Sequence, residues 1–274
     1  MPELPEVETI IRSLRPALLG KNVLSANLRW NRTLMSPSPA KFKKLIQGQQ
    51  ILDIVRRAKF LQFKLSTYQL IIHLRMSGDL LVVKGGYQAA IHDRLILNLA
   101  DETTLVFSDP RKFGRVWLVE DPAEIFQTLG PEPLSSEFSP GWLYAALHNR
   151  QRQLKPLLLD QSFLAGLGNI YTDEALHLAR LHPLTRSDWV SEEEAARLWI
   201  AIRQVLEEGI RRNGASIDWV YRGGDFQNHF RVYGRQGESC PVCGTKIQRI
   251  VVGQRGTHFC PNCQVLTNDQ NPVK

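Results

Sequence analysis

Near the start of the chain, apolar side chains recur at helical spacing. Val7, Ile10, Ile11, Leu14 and Leu18 fall on one face, and Gly20 follows where a helix would end. The pattern predicts an amphipathic helix over residues 6–19. From Asn22 to about Val119 the period shortens to β-rich or alternating runs at 23–30, 51–56, 60–65, 70–74, 80–83, 95–99, 104–107 and 115–119. Short strands in such succession suggest a β-sandwich or barrel. Residues 129–136 hold two prolines, a glycine and two serines, which is linker composition and places a domain boundary there. Beyond it the pattern is helical, at 141–148, 154–159, 170–179 and 192–212. Ser191 serves as N-cap of the last helix and Asn213-Gly214 as its stop. No internal repeat is visible, and the tail after Gln264 is short and polar. The expected organisation is α+β and multidomain: a β-sandwich domain over 1–130, a helical domain over 131–225, and a cysteine-bearing module with its tail over 226–274.

Composition adds little to this. Of 274 residues 43% are apolar and 22% charged, which fits real cores and excludes disordered, collagenous and low-complexity classes. No run is long and apolar enough for a membrane helix, and Met1-Pro2-Glu3-Leu4-Pro5-Glu6 is acidic where a signal peptide is basic and then apolar. A cytosolic location is expected. Charge says more: the formal +7 divides into +5 over residues 1–150, −3 over 151–210 and +5 over 211–274. Two basic blocks flanking an acidic middle favour a polyanionic partner.

All four cysteines fall in one pattern, Cys240-x2-Cys243, sixteen residues, then Cys260-x2-Cys263. In a reducing cytosol such a pair of knuckles reads as a four-thiolate site for one zinc ion, the alternative being two redox-active motifs.

The N-terminus admits two readings. Pro5 is a natural first-turn proline, and Glu3, Glu6 and Glu8 suit the positive end of a helix, with no catalysis implied. Alternatively, removal of Met1 would leave Pro2 with a free secondary amine. An α-amino group titrates near neutrality, so its neutral form is a workable nucleophile. Attack on a sugar C1′ would give an iminium ion directly, and the neighbouring Glu3 could protonate the ring oxygen as the sugar opens.

Several motifs bear on that choice. They are Met-Pro-Glu-Leu-Pro-Glu-Val-Glu-Thr at 1–9, His73-Leu74-Arg75-Met76-Ser77-Gly78 and Asp109-Pro110-Arg111-Lys112-Phe113-Gly114. Further along come Asp160-Gln161 with Gly166-Leu167-Gly168-Asn169-Ile170-Tyr171, then Val232-Tyr233-Gly234-Arg235, then Gln254-Arg255-Gly256-Thr257. In this order, and with the cysteines, the chain resembles the bacterial formamidopyrimidine-DNA glycosylases from residue 1 to residue 264. The resemblance implies a bifunctional enzyme that excises oxidised purines, such as 8-oxoguanine and formamidopyrimidines, from double-stranded DNA and then cleaves the abasic strand by β,δ-elimination. It implies an N-terminal helix and β-sandwich, a helix-two-turn-helix domain, a four-cysteine zinc ribbon and a monomer.

The implied catalytic set is Pro2 as Schiff-base nucleophile, Glu3 as acid and base, Lys59 beside a phosphate and Arg255 on the ribbon. Glu6 is the implied supporting carboxylate. Met76, Arg111 and Phe113 match residues that fill the gap left by an extruded base, a task that suits apolar tips on loops. His92 and Asn169 match further DNA contacts, Asn169 at a helix start where backbone N–H groups suit a phosphate. Lys246 and Arg249 add charge to the ribbon. Two departures stand out: the segment from Ile217 to Arg231 is shorter than the resemblance leads one to expect, and Lys112 stands where arginine is commoner. The first bears on lesion preference and leaves an endonuclease VIII-like enzyme for oxidised pyrimidines as a rival. A non-catalytic zinc-ribbon DNA-binding protein is the other, and Pro2 with Glu3 argues against it.

Overall fold

The computed structural model describes residues 1–216 and 223–266. These group into two compact units, one of Met1–Gln127 with the described part of Asn213–Gly224, the other of Thr128–Arg212 with the described part of Asp225–Lys274.

In the first unit, helix α1 (Leu4–Leu18) starts two residues earlier than the apolar spacing predicts, because Pro5 occupies its first turn, where a missing N–H costs nothing. Nine strands follow: β1 (Val23–Leu28), β2 (Leu34–Ser36), β3 (Ile51–Arg57), β4 (Phe60–Leu65), β5 (Gln69–His73), β6 (Asp79–Lys84), β7 (Asp93–Leu99), β8 (Thr103–Ser108) and β9 (Arg115–Val119). They form a four-stranded sheet in the order β1-β7-β8-β6 and a five-stranded sheet in the order β2-β9-β5-β4-β3. All pairings are antiparallel except β2 on β9. Alternate residues such as Leu95, Leu97, Leu105 and Phe107 of one sheet, and Leu61, Phe63, Leu70 and Ile72 of the other, share one core with the apolar face of α1. This is the sandwich expected from the alternation.

Three elements of this unit escape the sequence pattern. Helix α2 (Pro39–Ile46) buries only Phe42 and Ile46, a single i, i+4 pair among lysines, and β2 has three residues. Neither is long enough to establish a period. The unit also carries a one-turn helix, α3 (Ala123–Phe126).

The second unit holds α4 (Pro140–His148), α5 (Leu154–Leu159), α6 (Asn169–Leu178) and α7 (Glu192–Arg211), with the hairpin β10 (Gln248–Val252) and β11 (Arg255–Phe259). Ser191 caps α7 as expected: its Oγ accepts the Glu194 N–H at 3.2 Å, and Glu194 Oε2 accepts the Ser191 N–H at 2.9 Å. Asn213 and Gly214, with φ of 58° and 76°, end it.

The sequence assigns 131–225 to one helical module, yet residues 213–216 and 223–224 group with the first unit. The reason is local: the Ala215 N–H donates to Glu6 Oε1 at 2.8 Å, and Ser216 Oγ both accepts from and donates to Gly224, at 2.8 and 2.9 Å. The sequence departure around 217–222 and the tail beyond residue 266 lie outside the described residues.

Helix α7 carries one glycine where it crosses α6. A Cβ on Gly209 would lie 2.5 Å from the ring of Tyr171, which stacks on Phe226 at 5.1 Å. Alanine would gain about 1 kcal/mol of helix propensity. Overpacking a closed core costs about 1–3 kcal/mol, so the clash should win. Gly209→Ala is expected to lower the thermal midpoint by a few degrees, read by circular dichroism; an unchanged or raised midpoint would show that Tyr171 yields freely.

Candidate active site and metal centre

The start of α1 is unusually well held for a chain end, which ordinarily frays. Pro2, Glu3 and Glu6 are buried. The Glu3 N–H donates to Glu6 Oε2 at 2.8 Å, while the other oxygen of Glu6 takes the Ala215 N–H. Gly214 is needed beside it, since a Cβ there would stand 2.7 Å from Glu6 Oε1. One turn on, Glu8 accepts from Arg56 Nε at 3.2 Å, and Arg56 Nη1 donates to the Ala58 carbonyl at 3.2 Å. The N-terminal half of α1 is thus tied to the β3–β4 turn, where Ala58 takes φ 52° and Lys59 follows, only 5% exposed.

Sequence reasoning quoted His73 within a motif without assigning it a place in the site. In register it lies opposite Phe60, the residue after Lys59, and its ring meets that of Phe60 at 4.6 Å. Burial, then the charges of Arg75 and Lys59, hold its pKa down to about 3, so the ring is neutral. Its Nδ1 accepts the Arg75 N–H at 3.0 Å, which leaves the ring proton on Nε2.

Met76, His92, Arg111 and Phe113 lie on three loops that meet at one residue the sequence reading did not single out. Asp109 is fully buried, and its Oδ2 accepts the Gly114 N–H at 2.7 Å. Its Oδ1 accepts the Arg111 N–H at 3.2 Å and the Ser77 hydroxyl. Its own N–H donates to the His92 carbonyl at 2.8 Å. Around this hub the tips point outward: Met76 is 43% and Phe113 45% exposed, so neither is a core residue. The Arg111 guanidinium lies 4.9 Å from the Phe113 ring, and Lys112 Nζ lies 4.3 Å from the Trp30 ring.

In the second unit, one face of α6 is polar and turned to the ribbon. Asn169 Nδ2 donates to the Gly256 carbonyl at 3.0 Å. Asp173 pairs with buried Lys155 and accepts the His258 N–H at 2.9 Å. Glu174 accepts the N–H groups of Arg231, Val232 and Tyr233 at 2.8, 2.9 and 2.9 Å. Burial pushes the Glu174 carboxyl up and these three donors pull it back. His177 Nε2 lies 3.5 Å from Cys240 Sγ. Arg255, exposed at the start of β11, neighbours the Gly256 that Asn169 holds. Lys246 and Arg249 are on the same ribbon.

The four cysteine sulfurs lie within 4.8 Å of one another, with separations of 3.5, 3.5 and 3.9 Å among them. Zinc–sulfur bonds of about 2.3 Å in a tetrahedron place sulfurs roughly 3.8 Å apart, so the donor set fits the metal.

Three family descriptions match the chain: the formamidopyrimidine-DNA glycosylase N-terminal domain over residues 1–116, its H2TH domain over 129–220, and a zinc finger found in FPG and IleRS over 237–265. The formamidopyrimidine-DNA glycosylase of Chloroflexus aurantiacus is 48% identical over 97% of this chain and 98% of its own length. The chain belongs to the formamidopyrimidine-DNA glycosylase family.

The glycosylase of that name from Pelotomaculum thermopropionicum is 42% identical over 96% of the chain and 99% of its own. The solved structure of wild-type Lactococcus lactis Fpg with DNA containing N7-benzyl-Fapy-dG superposes with a TM-score of 0.91 at 37% identity, over 97% of this chain and all of that one. A MutM structure in complex with DNA containing carbocyclic 8-oxo-G gives 0.90 at 36% identity, with the same coverage. Like its family's zinc finger, this ribbon holds one structural zinc ion through Cys240, Cys243, Cys260 and Cys263. Among the described residues, no helix of this family member is long and apolar enough to cross a membrane.

Asp109 offers a direct test of the loop hub. Asp109→Asn keeps the volume but turns an NH2 towards donors that need an acceptor, leaving at least one buried N–H unmet at a cost of about 1–3 kcal/mol. The amides of Arg111 and Gly114 should exchange with solvent markedly faster, while zinc content stays at one per chain. Unchanged exchange at both amides would remove Asp109 as the organiser.

Proposed function

We infer that this chain is a base-excision DNA glycosylase and abasic-site lyase acting on oxidised purines in double-stranded DNA. One observation carries the reading for this chain: residues 2–6, which a free terminus would leave loose, are buried, with Glu3 held through Glu6. Such order is costly for a terminus, and it serves a reaction whose nucleophile is the terminal nitrogen.

Once Met1 is removed, the neutral Pro2 amine attacks C1′ and the bond to the damaged base breaks. The base departs with the bonding pair and takes up the proton that the amine loses, Glu3 gives a proton to the ring oxygen, and the C1′–O bond opens to an iminium ion joined to Pro2. Loss of a C2′ proton then expels the 3′ phosphate, and a second elimination expels the 5′ phosphate. Water releases the sugar remnant from Pro2.

Lys59, on the turn tied to α1, serves as a phosphate anchor beside the reacting sugar, and Arg255 as the corresponding group on the ribbon. Asn169, at the start of α6, presents backbone N–H groups to a phosphate. Met76 and Phe113 fill the stack when the base leaves it, and Arg111 reaches the base left behind, with His92 a further backbone contact. The division into a catalytic sandwich over 1–130, a helix-two-turn-helix domain over 131–225 and a ribbon over 226–274 belongs to this reading. So do a monomeric state and a bacterial cytosolic location. Preference for formamidopyrimidines follows the relatives' name and the Fapy-dG DNA of the Lactococcus lactis complex, and that for 8-oxoguanine the DNA of the MutM complex.

Borohydride reduction of the enzyme with duplexes carrying 8-oxoguanine, formamidopyrimidine or an oxidised pyrimidine tests both the chemistry and the ranking. The covalent adduct is expected on Pro2, by mass mapping, with the highest yields on the purines. Glu3→Gln should remove excision, at least a thousandfold, while leaving duplex binding within a few-fold, since general acid–base groups contribute about 10²–10⁴-fold to rate. An adduct on Lys59, or normal excision by Glu3→Gln, would overturn the assignment.

The wedge is tested separately. Phe113→Ala and Met76→Ala should slow excision of a paired lesion more than cleavage at a preformed abasic site, because only the former displaces a stacked base, at a few kcal/mol. Equal losses on both substrates would reduce these side chains to supports of their loops.

A further inference from the structure

The last turn of α6 ends at the metal. His177 is 2% exposed, its Nε2 lies 3.5 Å from Cys240 Sγ, and its Nδ1 is buried without a hydrogen-bond partner. An apolar side chain would fill this site without leaving a ring nitrogen unmet, so the imidazole needs a reason. Cys240 is itself buried, so water cannot relieve the charge on its sulfur. Four thiolates on one zinc carry an excess of negative charge, which N–H donors to sulfur offset. Cys240 Sγ receives the Val242 N–H at 3.5 Å, from within its own knuckle. His177 stands on a different element, and only with a proton on Nε2 is its contact with a thiolate attractive.

We propose that His177 is a positioning residue of the zinc centre, donating its Nε2–H to the Cys240 thiolate and thereby fastening the charged metal cluster to α6. The contact explains why the ring nitrogen facing away from sulfur is tolerated without a partner: the tautomer is set by the metal side. It also places a fourth polar link on the helix face that already holds Gly256, His258 and the 231–233 backbone.

The experiment uses the full-length protein loaded with Zn2+ or with Co2+. Groups that hydrogen-bond to a metal's ligands are typically worth about 10–100-fold in affinity, and the lower end is expected here because sulfur is a weak acceptor. His177→Leu should therefore bind Zn2+ about tenfold more weakly in competition with a chromophoric chelator. Its Co2+ form should show the thiolate-to-cobalt charge-transfer band displaced to longer wavelength, as expected when a sulfur loses a donor. His177→Gln sets an amide N–H near the Nε2 position and should restore both readouts. His177→Asn, whose amide stops short near the Nδ1 position, should not. Should the leucine variant fail to fold, the Gln and Asn pair still decides. Zn2+ affinity and band position unchanged in His177→Leu, or the same in the Gln and Asn variants, would leave His177 a space-filling residue and overturn the proposal.

Discussion

A carboxylate removed from water must be given donors, and in this protein the donors are backbone N–H groups of irregular segments. Glu6 takes those of Glu3 and Ala215, Asp109 those of Arg111 and Gly114, and Glu174 those of residues 231–233. Each acid sits on or beside a regular element and fixes a stretch of chain that has no ladder of its own. The segments so fixed are the N-terminus, the loops bearing Met76, Arg111 and Phe113, and the approach to the ribbon, where the proposed chemistry and DNA contacts are concentrated. Removing any one acid leaves buried donors unmet, which costs more than the hydrogen bonds themselves contribute.

This arrangement accounts for the strained backbone nearby. Ala58, Arg75, Lys112 and Gln254 all take positive φ without being glycine, and each stands one residue from a proposed site residue: Lys59, Met76, Arg111 and Phe113, or Arg255. Such conformations persist only where the surroundings over-determine them. At Lys112 the neighbours are the Asp109 hub and the Trp30 ring; at Arg75 the buried His73 ring takes the N–H. The strain turns the adjoining side chain away from the core, which is how Met76 and Phe113 come to be exposed on a sandwich built of alternating apolar strands.

The sandwich, the long helices and the cysteine cluster were legible because each repeats a simple signal: period two over eight runs, period 3.6 from Glu192 onward, and paired knuckles. Short elements were not, since β2 and α2 bury too few residues to mark a period. The site was legible mainly as motifs. Pro2, Glu3 and the proposed wedge residues Met76 and Phe113 can be picked out by type, but the residues that hold them cannot. Asp109 reads as turn chemistry before a proline, and Asp173 and Glu174 read as the solvated face of a helix. Only folding shows that Asn169, Asp173, Glu174 and His177, at i, i+4, i+5 and i+8, face a second element and not water. A charged helix face becomes informative when the chain holds a module too small to bury itself.

The ribbon is such a module. Its buried cluster holds Val232, Cys240, Ile247 and Cys260, with Cys263 against them, and Val252 and Phe259 add two more buried side chains, still too little apolar surface to order some thirty residues at about 1 kcal/mol or more of backbone entropy each. Zinc supplies part of the difference by joining both knuckles. It fixes the ribbon internally but does not orient it. Orientation falls largely to α6, whose polar links hold β11 at Gly256 and His258 and the incoming chain at 231–233, with Gln264 Nε2 adding a bond to the Leu181 carbonyl just past the helix. Because Asn169 begins this helix and its carbonyl partner Gly256 adjoins Arg255, one rigid element sets the distance between two proposed phosphate contacts. Ribbon and helix can then act on a DNA backbone as a single surface.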